Sequence, residues 1–350
     1  MTTSPRSHVP LDSVGDLIAA VPAFLGFVPE RSVVLLVHDD VTGRIGATAR
    51  TDLGLTRNGA LRVDCRRRIG HAVTMLRRQG ADRLYCLVVD DRSLTTAMPA
   101  FVAALEEHLT NDCDSNHEIV LADLYVASSI TDGGRWLCRH GESGRISDPQ
   151  SSPAALAAAL DGRPVRASRA DLVALLSEEG RGITADECFN AAAGAGGDPA
   201  ELLGAVLETV CADAGRSTLS DADVALLGGA LMHLEVRDAA LGLSLTVVAD
   251  EARCLFAEVA RRLRGTPRAA AATLVAAAAY TRGDGPLTGI ALDAALAADR
   301  RYRAARLLAA AFEHGMSPLQ VCVAAESGER VARRLGFDLP PRAADFPLAG

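Results

Sequence analysis

Six residues carry the chemistry this chain can offer most directly: Arg31, Ser32, Asp52, Asp90, Asp91 and Arg135. Adjacent carboxylates such as Asp90 and Asp91 suit a divalent cation held through oxygen ligands. They are costly to keep together unless a cation or an arginine balances them. Arg31 and Arg135 offer planar forks that match a phosphate or a carboxylate. Ser32 adds a hydroxyl, and Arg50, Ser128, Ser129 and Asp132 stand nearby in the same segments. The set is read as a ligand-binding site. No catalytic residue, metal ligand or cofactor is assigned to it. The six lie far apart in the chain, so they form a site only if the fold gathers them.

The elements that would do so can be read from local patterns. Ser13 to Asp16 reads S-x-x-D and opens a short amphipathic helix. Pro22 is expected to break that helix. The segment FLGFVPERS (24–32) should then turn the chain into a first strand, with Phe24, Leu25 and Phe27 buried. Val33–Val37 is a continuous apolar run, and Arg44–Leu53 alternates, which predicts an antiparallel hairpin. A helix follows over about 64–79, with Ile69, Ala72, Val73 and Leu76 on one face and Gly80 as its stop. Leu84–Val89 has no polar residue on either face, which is the pattern of a central strand covered on both sides. A third helix carries Met98, Phe101, Val102, Leu105 and Leu109 on one stripe. Strands at Ile119–Ala127 and Arg135–Cys138 complete the set.

Helical crossovers join the second, third and fourth strands, so these three should run parallel. The first and last attach through tight turns and should run antiparallel. The carboxyl ends of strands two, three and four then share one edge with the starts of strands one and five. That edge collects Arg31, Ser32, Asp52, Asp90, Asp91 and Arg135. In open α/β sheets, ligands bind outside the carboxyl ends of the strands.

DPQSSP (148–153) marks a change of composition. The expected organisation is an α/β (or α+β) domain over 1–150, a mixed sheet with a parallel centre, followed by an all-α half over 151–350. Helices are predicted at 153–161, 168–178, 184–193, 199–213, 220–232, 235–242, 249–264, 267–281, 286–298 and 301–314. The pattern A-L-D-x-A-L-x-x-D-x-x-Y-x-x-A within 267–315 resembles a tetratricopeptide hairpin.

All 36 basic residues are arginine. A P-loop, a pyridoxal-phosphate Schiff base and a protein-kinase strand lysine are therefore excluded. The net charge of −8 argues against a nucleic-acid surface. Cys113, His117, Cys138 and His140 have the ligand types for tetrahedral zinc, but the eight cysteines include no C-x-x-C. Most are expected to be buried thiols. MTTSPRSHVPLD has no apolar core of a secretory signal, and no apolar run is long enough for a bilayer, so a cytoplasmic location and no membrane contact are expected.

LIAAVPAFLGFVPERSVVLLV (17–37), GGRWLCRHG (133–141), DPQSSPAALAAALDGRPV (148–165) and YTRGDGPLTGIALDAALAAD (280–299) carry a resemblance to an uncharacterised actinobacterial family, domain of unknown function 4192. The resemblance covers most of the chain and implies no activity. In the relatives the Trp-Cys segment is often followed by another cysteine, which RHGESG (139–144) lacks. The expectation is therefore a non-catalytic protein. It would meet a protein partner through the helical half and a small ligand or divalent cation at the sheet edge. The alternative is a hydrolytic or phosphate-directed enzyme using the acidic strand ends.

Overall fold

Ser13 opens the first helix, α1 (Val14–Leu25), its hydroxyl accepting from the Asp16 amide at 3.2 Å. The computed structural model describes residues 13–39, 44–56, 60–92, 98–110, 119–160, 162–212, 219–344 and 346. α1 does not break at Pro22. It continues to Leu25 and stops at Gly26, whose φ of 73° supplies a left-handed cap. Burial of Ile18, Val21 and Leu25 holds the last turn although the proline lacks one donor. Leu25 and Phe27 are buried and Phe24 is half-buried.

The sheet contains β1 (Ser32–Asp39), β2 (Arg44–Asp52), β3 (Arg83–Val89), β4 (Val120–Ala127), β5 (Arg135–Cys138) and β6 (Ser143–Arg145). Their order is β2-β1-β3-β4-β5-β6. The sheet is mixed, with one parallel pair, β3 and β4, at its centre. β2 shares their direction, but β1 lies between β2 and β3 and runs antiparallel to both. The crossover through α2 (Val63–Arg78) therefore steps over a strand. β6 is an added hairpin strand, formed because Gly144 lets the Trp136 ring lie on its backbone.

Leu84, Cys86 and Val88 of β3 share a core with Val33 and Leu35 of β1 and with Leu121 and Leu124 of β4. Against it pack Ile69, Val73 and Leu76 of α2, and Phe101, Leu105 and Leu109 of α3 (Met98–Thr110). The alternate residues Val34, Leu36, Leu87 and Val89 are equally buried, as a strand covered on both faces requires. α1 packs against β2, β6 and α4 (Pro153–Leu160). Ala20 and Ala23 meet Ala154 and Ala158 in a small core of their own.

Helices then follow throughout: α5 (Arg169–Ala174), α6 (Ala185–Gly194), α7 (Pro199–Cys211), α8 (Asp221–Ala230), α9 (Leu234–Gly242), α10 (Ala249–Arg262), α11 (Gly265–Thr281), α12 (Gly285–Ala298), α13 (Arg303–Glu313) and α14 (Pro318–Arg334). α11 is buried continuously from Pro267 to Thr281. Its alanines let α10 and α12 approach closely, which is why so little aromatic volume suffices. By contact density the chain divides between Arg169 and Ala170 into two compact units.

Candidate functional site

Strand direction brings the six residues to one edge of the sheet, Ser32, Asp52 and Arg135 within strands and Arg31, Asp90 and Asp91 in the turns beside them. Ser32 sits opposite Asp52 on one side and Val89 on the other. Asp90 follows at once, its amide donating to the Ala127 carbonyl at 3.0 Å. Arg135 starts β5 on the same edge.

Side-chain contacts divide this edge into three groups. In the first, Arg31 grips Asp91 with two parallel bonds, Nε to Oδ1 and Nη2 to Oδ2, each 3.1 Å. The pair is exposed, about 60% on the arginine side chain and 59% on the aspartate. The hydrogen bond from Arg31 holds the Asp91 carboxyl below its usual range and raises Arg31 in turn. Arg31 has φ 42°, and no other described non-glycine residue is left-handed. Its carbonyl accepts from Leu53 at 2.7 Å, which fixes the turn into β1.

The second group is centred on Ser32, which is fully buried. Its hydroxyl donates to the Glu30 carbonyl at 2.6 Å and accepts from Arg50 Nε at 2.9 Å. Arg50 Nη1 reaches Asp52 at 2.6 Å. The Arg50 guanidinium stands 5.8 Å from the centre of the Phe27 ring. Burial lowers its pKa from the ordinary arginine value, against the pull of Asp52.

The third group is Asp90, whose side chain has no exposed area. Oδ1 accepts from Arg92 Nε at 2.8 Å and from the Arg92 amide at 3.3 Å. Oδ2 is buried with no hydrogen-bond partner. A buried acceptor without a donor costs about 1–3 kcal/mol, so this atom is the anomaly of the edge.

Arg135 shares the edge but joins none of the three groups. It is exposed, opposite Arg145, with no ion pair among the described residues. Arg92 is absent from the sequence expectation, and Arg50 is expected on this edge but not among the six. Their signals were local: Arg50 is two residues from Asp52 on the same strand face, and Arg92 two residues from Asp90.

Of the zinc pattern, Cys113 and His117 lie outside the described residues. Cys138 is buried, its sulfur accepting from the His140 amide at 3.3 Å. Among the described residues no three His, Cys, Asp or Glu side chains converge as metal ligands, and no helix is long and apolar enough to cross a membrane. The described cysteines are free thiols. Cys65, Cys86, Cys138, Cys188 and Cys322 are buried, whereas Cys211 and Cys254 are exposed.

The family described as "Domain of unknown function (DUF4192)" matches residues 15–319. The chain belongs to it. No curated protein and no solved structure matches the chain.

Proposed function

We propose that this DUF4192 member works by binding rather than by catalysis. Its sheet edge would receive a small ligand, and its helical half would meet a protein partner. The observation that carries this reading is the pairing of the edge carboxylates. Asp91 is held by Arg31, Asp52 by Arg50, and one oxygen of Asp90 by Arg92. Carboxylates matched in this way are poor general bases and poor cation ligands. Balanced pairs of this kind can still exchange partners. The Arg31–Asp91 pair is exposed and screened by solvent, so an anionic ligand group displaces Asp91 at little cost. The ligand class that fits carries a phosphate or carboxylate for Arg31, and a hydrogen-bond donor that meets Asp90 Oδ2 once displacement of Asp91 uncovers that buried atom.

The enzyme reading has one observation on its side, the same Oδ2, which a divalent cation would also satisfy. Thermal stability measured with magnesium, manganese and a panel of nucleotides separates the two. A bound ligand raises stability by about 2.7 kcal/mol at a hundredfold excess over its dissociation constant. The expected result is a shift with an anionic ligand that Asp90→Asn abolishes. A shift with the metal alone favours the enzyme. No shift at all, with Asp90→Asn and Asp91→Asn merely destabilising, reduces the edge to a structural brace.

A further inference from the structure

In the helical half, Arg237, Arg253, Arg262, Arg282 and Arg342 each meet a carboxylate. Arg300, Arg301, Arg303 and Arg306 do not. All four are exposed, and none has an ion-pair partner among the described residues. This occurs in a chain with 44 acidic residues against 36 basic ones. The nearest acid in sequence, Asp299, is occupied by the turn before α13, accepting from Thr266 Oγ1 at 3.0 Å and from the Arg301 amide at 2.8 Å.

The inward side of α13 is settled by its contacts. Ala305 is fully buried, and Phe312 meets Tyr280 edge-on at 5.4 Å. Arg303, Arg306 and Leu307 therefore share the outward face, at the i, i+3 and i+4 spacing of helix neighbours. Leu307 is 62% exposed in the middle of this charge. The first turn of α13 contains no acidic residue. Cations at a helix N-terminus oppose the macrodipole, so the placement is unfavourable in isolation and is relieved by external negative charge.

We infer that this face docks an acidic segment of a partner protein. Carboxylates of the segment would pair with Arg300, Arg301, Arg303 and Arg306, and an apolar side chain would cover Leu307. Arginines around a desolvated apolar contact are the usual composition of an interface centre. The inference rests on the partner-binding part of the proposed function and names the partner's chemistry. An anionic membrane fits less well. A chain of net charge −8 is repelled by such a surface, and one leucine offers little area to insert.

The test uses the full chain and a short labelled peptide of glutamates and leucines, beside the same peptide with lysine for glutamate. Vesicles of phosphatidylglycerol in phosphatidylcholine run in parallel, and sedimentation reports the oligomeric state. The acidic peptide should bind, the basic one should not, and raising salt should weaken binding by about tenfold. Arg303→Glu/Arg306→Glu should lose about tenfold or more, and Leu307→Ala severalfold. Melting of the double variant should be unchanged or higher, since glutamates suit a helix N-terminus, which separates lost docking from lost folding. Equal binding of both peptides, or full binding by the double variant, overturns the inference. So does a vesicle interaction or a salt-sensitive dimer that the double variant abolishes, because each assigns the face to another occupant. None of these outcomes touches the sheet-edge reading, whose test depends on small ligands and Asp90.

Discussion

At the residue scale, the edge is built from hydroxyls and arginines that neutralise carboxylates. Ser32 is the pivot, because its hydroxyl both ties the Glu30 carbonyl and receives Arg50. Ser32→Ala should cost about 1–3 kcal/mol, by leaving Arg50 Nε half-buried without its acceptor. Denaturant unfolding of the variant checks this. Phe27 is 2% exposed beneath the Arg50 guanidinium, and Phe27→Ala should cost about 3–5 kcal/mol. An unchanged melting temperature would refute that packing. Glu187 gives a prediction in pH. Arg181 and the Thr184 amide and hydroxyl hold its carboxyl down to about 2. A carboxyl depressed on folding stabilises fully above its unfolded pKa of about 4.3 and loses that contribution as pH falls towards the folded value. Wild type should therefore melt above Glu187→Gln at pH 7, and the gap should close between about pH 4.3 and pH 2. A gap independent of pH would show that the charge of Glu187 is irrelevant. Strand direction made it legible in the sequence that the six residues share one sheet edge. The arginine that each carboxylate takes was not legible, because Arg31, Arg50 and Arg92 choose partners by rotamer and burial.

At the scale of elements, periodicity located most helices and strands because each buries one regular face. The exceptions have physical reasons. Pro22 reads as a breaker, yet tertiary burial on both sides of α1 overrides it. β6 is three residues long and is held by its hairpin with β5 rather than by an apolar pattern. α14 is missing from the sequence reading although it opens with Ser317, Pro318 and Gln320, a capping box with proline in the first turn. Its buried stripe is thin, Val321, Cys322, Ala325, Val331 and Ala332, and reads weakly beside its charges. Glycines explain how the alanine-rich helices come so close. A Cβ on Gly229 of α8 would lie 2.2 Å from the Cys188 carbonyl oxygen of α6. Gly229→Ala must push those helices apart, at a cost of about 1–3 kcal/mol. Gly194→Ala, where nothing lies within 4 Å of the new atom, should be neutral or slightly stabilising in the same melting experiment.

At the scale of the molecule, composition points to a boundary near residue 150, whereas contact density divides the chain between Arg169 and Ala170. The intervening segment matters to the site. Ala154 and Ala158 of α4 cover Ala20 and Ala23 of α1. Beyond them, the Arg166 amide donates to the Gly26 carbonyl at 2.8 Å, and its carbonyl accepts from Val28 at 3.1 Å. These two bonds brace the stretch that leads into Arg31 and Ser32. A fragment ending at 169 should therefore outlast one ending at 150. Two backbone hydrogen bonds at about 1 kcal/mol each, with the lost alanine contacts, amount to about 2–3 kcal/mol. For a domain of this size that is a fall of about 6–10 °C in melting temperature. The shorter fragment should also lose any ligand response at the edge, because the turn carrying Arg31 is no longer held from behind. Equal melting of the two fragments would show that α4 and Arg166 add nothing to the sheet unit, and that the composition change alone marks where its fold ends.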